Sequence, residues 1–132
     1  MNCPTVVFFA LIATTAFAEE WVEVGSDNES VHYVDRESFT RADDVVTLKK
    51  KVVYNAAQLS AFTRNSEPVK YSVGSVQEDC GGHQHRVVSI ELFNEAGEAV
   101  WSSGIMKRIW ESVEPESLGA NTLEVACAIG RQ

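Results

Sequence analysis

Two cysteines constrain this chain more than any other feature. Cys80 closes a strand-like run, YSVGSVQEDC, immediately before the turn-rich GGHQH. Cys127 lies near the end of a helix-like segment, PESLGANTLEVACA. Ahead of both is MNCPTVVFFALIATTAFA, with an apolar run through residues 5–13 and the small-x-small ending Ala16-Phe17-Ala18. A signal peptidase reads such an ending, so residues 1–18 are expected to be a signal peptide, cut between Ala18 and Glu19. The run is too short for a comfortable membrane span. Cys3 has no apolar segment before it and is not in a lipid-attachment position. Removal of the leader takes Cys3 with it and leaves an even pair of cysteines. In an oxidising compartment two cysteines most simply pair. A helix tied covalently to a sheet is the expectation.

Removing 18 residues from 132 leaves 114, enough for one domain with one modest core, residues 19–132. The leader carries no charged side chain, so the formal net charge of −8 belongs wholly to that domain. An acidic domain lacks the basic face that phosphate backbones demand, which argues against a nucleic-acid partner and, less strongly, against anionic membrane surfaces. The expected product is an exported protein, periplasmic or at the cell surface, with no transmembrane span after cleavage.

Alternation and turn chemistry divide the domain. WVEVG (Trp21–Gly25) and VHYVD (Val31–Asp35) read as short strands separated by the turn SDNES. Asp35 is placed to cap a single turn, RESF, because its carboxylate can accept from the following N–H groups. RADD then turns the chain into the longest strand, Val45–Tyr54. On it Val46, Leu48, Val52 and Tyr54 share one face, and Lys49 and Lys51 fall on the other. NAAQLSAFTRNSEP is open between a short helix and an irregular excursion. A further strand runs from about Val69 to Cys80. In Arg86–Asn94, Val88, Ile90 and Leu92 face one way, Ser89 and Glu91 the other. NEAGE, with Gly97 free to take positive φ, makes a hairpin to AVWSS. GIMKRIWESVE leads out of the sheet. A helix is expected from Pro115, with Leu118, Thr122, Leu123, Ala126 and Cys127 in one stripe and Gly130 as its stop. About six strands and one terminal helix make an α+β layer.

The ordered set YVDRESFTR, a long strand, DC, ELFNEAGEAVW, WESVEPESL and a closing VACA resembles the bacterial surface-adhesin protein E family over roughly Trp21 to Ala128. The resemblance implies a curved antiparallel sheet of about six strands. It also implies a C-terminal helix on one face, held by a Cys80–Cys127 disulfide. It implies adhesion to host extracellular-matrix or serum proteins.

Individual residues offer few chemical motifs. His83 and His85 flank a glutamine beside Cys80. Alternating histidines on a strand could share a metal ion or a haem, but a third ligand is not evident and the solvated turn is the simpler reading. Lys49 and Lys51, with Lys50 between them, are a basic spot able to meet an anionic partner, or simply a solvated strand face. Trp101 and Trp110 are expected under the helix, with interface anchoring the alternative. Asn28-Glu29-Ser30 fits a glycosylation sequon that reads more simply as a turn. Asp43-Asp44 and Glu78-Asp79 fall at turns or strand ends, where solvation is the default. No nucleophile-elbow, zinc or phosphate-loop pattern occurs, so no enzyme and no cofactor is expected.

Two functional classes follow. The first is a non-enzymatic binding module that recognises another protein through the sheet surface or an edge strand, with a homodimer left open by the exposed edge. The second is a periplasmic carrier of a small ligand, haem or metal included, in an apolar pocket between sheet and helix, or an envelope protein of other role. A deep cavity under the helix would favour the carrier. A filled core would favour protein contacts.

Overall fold

A computed structural model describes residues 19–63 and 67–129. The expected signal peptide, its cleavage point at Ala18 and the helix stop at Gly130 lie outside the described residues. The elements are β1 (Trp21–Ser26), β2 (Ser30–Asp35), a 3-10 turn (Arg36–Ser38), β3 (Thr40–Ala42), β4 (Val45–Gln58), β5 (Val69–Asp79), β6 (Gln84–Phe93), β7 (Ala99–Ser102), β8 (Glu111–Ser112) and α1 (Leu118–Ile129). Every pairing is antiparallel. The main order is β1-β2-β4-β5-β6-β7, with β3 beside β4 and β8 beside β6. The sheet is open. Its six-strand path matches the sequence reading, and the two short strands are additions to it.

The turn chemistry works as the residue types dictate. Asp35 Oδ1 accepts from the N–H of Glu37 and of Glu20, both at 3.0 Å, so one carboxylate caps the 3-10 turn and pins the start of β1. Asp27 Oδ1 gathers Glu29 N, Ser30 N and Ser30 Oγ, which makes the sequon segment a closed Asx turn. RADD is a true hairpin: Thr40–Ala42 pairs with β4, and Asp43 takes φ 54° at its tip. The ambiguous NAAQ continues β4 to Gln58, making a 14-residue strand, and the chain then turns through residues 59–63.

Three expectations are corrected. The segment after β7 does not leave the sheet. Ser103 N donates to Ile90 O, Met106 N to Val88 O and Val113 N to His83 O, so the chain stays beside β6 until β8 forms. In β6 the alternation slips: Ser75 pairs with Ser89 but Val76 with Val87, a bulge that leaves Val88 unpaired. Val87, not Val88, therefore reaches the core alongside Val76. The helix begins at Leu118 rather than Pro115, because Glu116 takes φ 57° and Ser117 is the effective cap. Ser117 Oγ accepts from Ala120 N at 3.1 Å.

α1 lies on one face of the sheet, here called the inner face. Val34, Val46, Leu48, Val76 and Ala126 form its fully or nearly buried centre, with Val22, Val24, Phe39 and Val87 around them. The expected stripe holds: Thr122, Leu123 and Ala126 are buried. Gly25 is the seat of the helix. A Cβ there would stand 2.5 Å from Leu118 Cδ2, and Asn121 Nδ2 donates to the neighbouring Val24 carbonyl at 3.2 Å. The Cys80–Cys127 disulfide closes the other side, joining the end of β5 to the last turn of α1 with Cα atoms 5.8 Å apart.

Candidate functional site

Period-two alternation divides the lysine triplet. Lys49 and Lys51 emerge on the outer face, away from the helix, while Lys50 lies between Leu48 and Val52 in the inner-face series. Register then decides the neighbours. Lys51 is opposite Tyr33 on β2 and Val73 on β5. Trp21 enters from β1, so that Lys51 Nζ stands 4.5 Å from the Trp21 ring centroid and 5.8 Å from that of Tyr33. A cation held over two aromatic faces is attracted by both ring quadrupoles. Further along the same face Tyr71 and Phe93 are opposite each other and stack, with centroids 4.7 Å apart and planes 6° off parallel.

Lys51, Trp21, Tyr71 and Phe93 line an open concavity of ≈ 470 Å³ together with Val53, Val73, Gly74, Ser75 and Ser89, and Tyr33 stands outside its lining. Glu19 and Glu91 stand at its margin with Lys49. The Glu19 carboxylate accepts from Trp21 Nε1 at 3.2 Å and so helps fix the indole. The surface combines rigid aromatic area, one caged cation and both signs of charge at the rim. Chemically that suits non-covalent recognition: apolar contact at the centre, polar pairing around it. Lys49 and Lys51 were readable as a basic spot. Trp21, Tyr33, Tyr71 and Phe93 were not, because they come from four different strands and only the register gathers them.

The outer face continues past this concavity. Thr47 accepts from Gln77 Nε2 at 3.2 Å, Gln77 Oε1 accepts from Arg86 Nε at 2.8 Å, and the Arg86 guanidinium lies 4.3 Å over the Trp110 ring. Trp110 is therefore an outer-face residue, and Trp101 meets Phe62 in a tilted pair, ring centroids 5.0 Å apart and planes 32° from parallel. Neither packs under the helix as expected. For Trp101 the reason is strand order, since β7 is the edge strand opposite β1 while α1 packs on β1, β4 and β5. For Trp110 it is the path after β7, which stays beside β6.

The inner face holds a group of a different kind. Glu78 is opposite Val46 on β4 and His85 on β6, and it is only 2% exposed. Its position at a strand end suggested solvation, but the disulfide two residues later draws α1 over this corner. Burial pushes its carboxyl up to about 8, partly offset by the positive charge of Lys50, and Oε2 has no hydrogen-bond partner. The ammonium of Lys50 is lowered by the same burial, with Glu78 opposing the shift. His32, whose Nε2 lies 3.1 Å from Ser30 Oγ, is lowered by burial and then by Lys50. The sequence signal for Lys50 was a charge inside an otherwise apolar even-numbered series.

The two other histidines do not form a paired site. His83 sits in a turn with φ 51°, outside β6, while His85 is on the strand with Nε2 3.9 Å from a Glu111 carboxylate oxygen. Positive φ at His83 breaks the alternation that a shared cation would need. Among the described residues no cluster of three or more His, Cys, Asp or Glu is placed to hold a metal ion. Among them, too, no helix is long and apolar enough to cross a membrane.

Comparison with known proteins agrees with this architecture. The family profile described as surface-adhesin protein E matches residues 21–128. No curated protein sequence matches the chain. Among solved structures, protein E of Haemophilus influenzae superposes with a TM-score of 0.56 at 13% identity, over 86% of this chain and 96% of that one. A second crystal form of the same protein gives 0.58 at 14%, over 83% and 94%. Protein E from a non-typeable Haemophilus influenzae gives 0.56 at 16%, over 97% and 82%. At such identities the likeness concerns the fold.

Proposed function

This chain belongs to the surface-adhesin protein E family, and from that premise we propose that it is an exported, non-enzymatic binding module that recognises another protein through the outer face of its sheet. The partner class that the family suggests is a host extracellular-matrix or serum protein, met at the cell surface. The observation that carries the reading is the cradle in which Lys51 is held over Trp21 and Tyr33 beside the Tyr71–Phe93 stack. Large aromatics around a fixed cation are the composition of interface centres. Val34, Val46 and Ala126 are fully buried beneath α1, whereas the open concavity lies on the opposite face, which supports protein contact there over a ligand enclosed between helix and sheet.

The test is adsorption of the purified protein to immobilised matrix and serum proteins, comparing wild type with Trp21→Ala and Lys51→Glu. Loss of roughly tenfold or more in affinity, with the fold retained and only a small fall in melting temperature, is expected if the cradle is the contact centre. Binding that both variants retain would move the contact elsewhere. Location is tested by protease treatment of intact cells beside a periplasmic control. Digestion with the control intact is the expected result. Protection until the outer membrane is opened would exclude the surface role.

A further inference from the structure

The loop between β7 and β8 carries the two most exposed large apolar side chains among the described residues, Ile105 at 86% and Ile109 at 81%. Lys107 and Arg108 stand between them, both exposed. We infer that this loop is a docking tip for an anionic phospholipid surface, with the two isoleucines entering the headgroup layer and Lys107 and Arg108 meeting lipid phosphates.

Three features support the assignment. The tip is held out rather than loose. Met106 N donates to Val88 O at 2.7 Å, Val113 N to His83 O at 3.1 Å, and Trp110 is clasped under Arg86. Ordering the loop therefore costs little on binding. The adjacent basic pair flanked by aliphatic residues also suits the boundary between headgroups and acyl chains, where apolar side chains insert and cations stay at the phosphate level. Finally, the local charge is opposite to that of the chain. The formal net charge is −8, yet the loop presents two cations, with Arg86 behind them. The nearest following acid, Glu111, is directed toward His85, 3.9 Å away. Screening over about 8 Å at physiological salt keeps the more distant carboxylates from cancelling this attraction.

A protein partner fits the tip less well. Two aliphatic side chains offer far less than the roughly 800 Å² per partner of a stable interface. A second copy would bring a further eight negative charges. A bilayer needs neither shape complementarity nor a large patch. The inference is independent of the outer-face cradle, and either can fail alone.

The experiment is co-sedimentation of the full-length chain, purified as the expressing cell processes it, with phosphatidylcholine vesicles made with and without phosphatidylglycerol. Partition onto the anionic vesicles is expected to exceed that onto neutral ones by roughly thirtyfold, from two cations near the surface, and to fall as salt rises. Lys107→Glu/Arg108→Glu should remove the preference for anionic vesicles. Ile105→Ser/Ile109→Ser should lower partition at least about tenfold. All four side chains are exposed, so melting temperatures should change little. Leu59→Ser, at an exposed leucine elsewhere, should leave partition unchanged. Absence of sedimentation with either vesicle would overturn the inference, as would an equal loss in the Leu59 variant. So would light scattering that shows a dimer disrupted by the isoleucine changes.

Discussion

The two faces of one sheet are used in opposite ways. The same β4 strand sends Val46 and Leu48 inward under α1 and Lys49 and Lys51 outward. The inner face hides aliphatic area and strands one carboxyl there. The outer face leaves aromatic rings open and uses a lysine to bridge them. Hydrophobic burial makes the first stable. The second keeps apolar area accessible, which costs stability and serves recognition. The helix is what separates them, because a bare antiparallel sheet of this composition would have two half-covered faces.

The sharpest way to break that contrast is to release the helix. Cys127→Ser should lower unfolding free energy by about 4 kcal/mol, given a separation of 47 residues between the bridged cysteines. Urea unfolding of variant and wild type, with circular dichroism following α1, measures this. Two free thiols in the native wild-type protein would show that the staple does not form.

Glu78 tests the inner face alone. Its carboxyl is raised from 4.5 to about 8 in the folded state. Between those values the folded protein keeps a proton that the unfolded chain releases. The stabilisation is therefore complete below pH 4.5 and is lost as pH rises to about 8, at up to about 1.4 kcal/mol per pH unit. Glu78→Gln, which cannot ionise, should melt several degrees above wild type at pH 9 and converge with it near pH 4.5. Parallel melting curves for the two proteins across that range would refute a buried, raised carboxyl.

On the outer face the stability effect should be smallest. Lys51→Ala removes a half-exposed cation from Trp21 and Tyr33 and should cost about 0.5–1 kcal/mol. Trp21 fluorescence should shift to the red as its ring is uncovered. A loss comparable to that of Cys127→Ser would mean that the cradle supports the fold rather than a partner.

Much of the architecture was legible because it rests on short-range rules. Alternation in Val45–Tyr54, the capping carboxylate of Asp35 and the Leu118–Cys127 stripe each depend on residues close in sequence, and each appears in place. The misses share a cause. A bulge at Val88, positive φ at Glu116 and the course of residues 103–110 beside β6 are settled by pairing with distant strands. Glu78 looked like a solvated end residue because its cover, α1, arrives some forty residues later in the chain.

By itself the amino-acid order determined the strands, the terminal helix, the side of β4 on which each lysine stands, and a cysteine pair fit to join helix and sheet. Those are consequences of backbone periodicity and side-chain chemistry within a few residues. Tertiary structure alone decided that Trp21 and Tyr33 meet at Lys51, that Tyr71 and Phe93 stack beside them, that Glu78 is buried, and that Ile105 and Ile109 stand clear of the core. Strand register and helix placement set these distances, and both are fixed by the summed burial of the whole sheet rather than by any local run of residues.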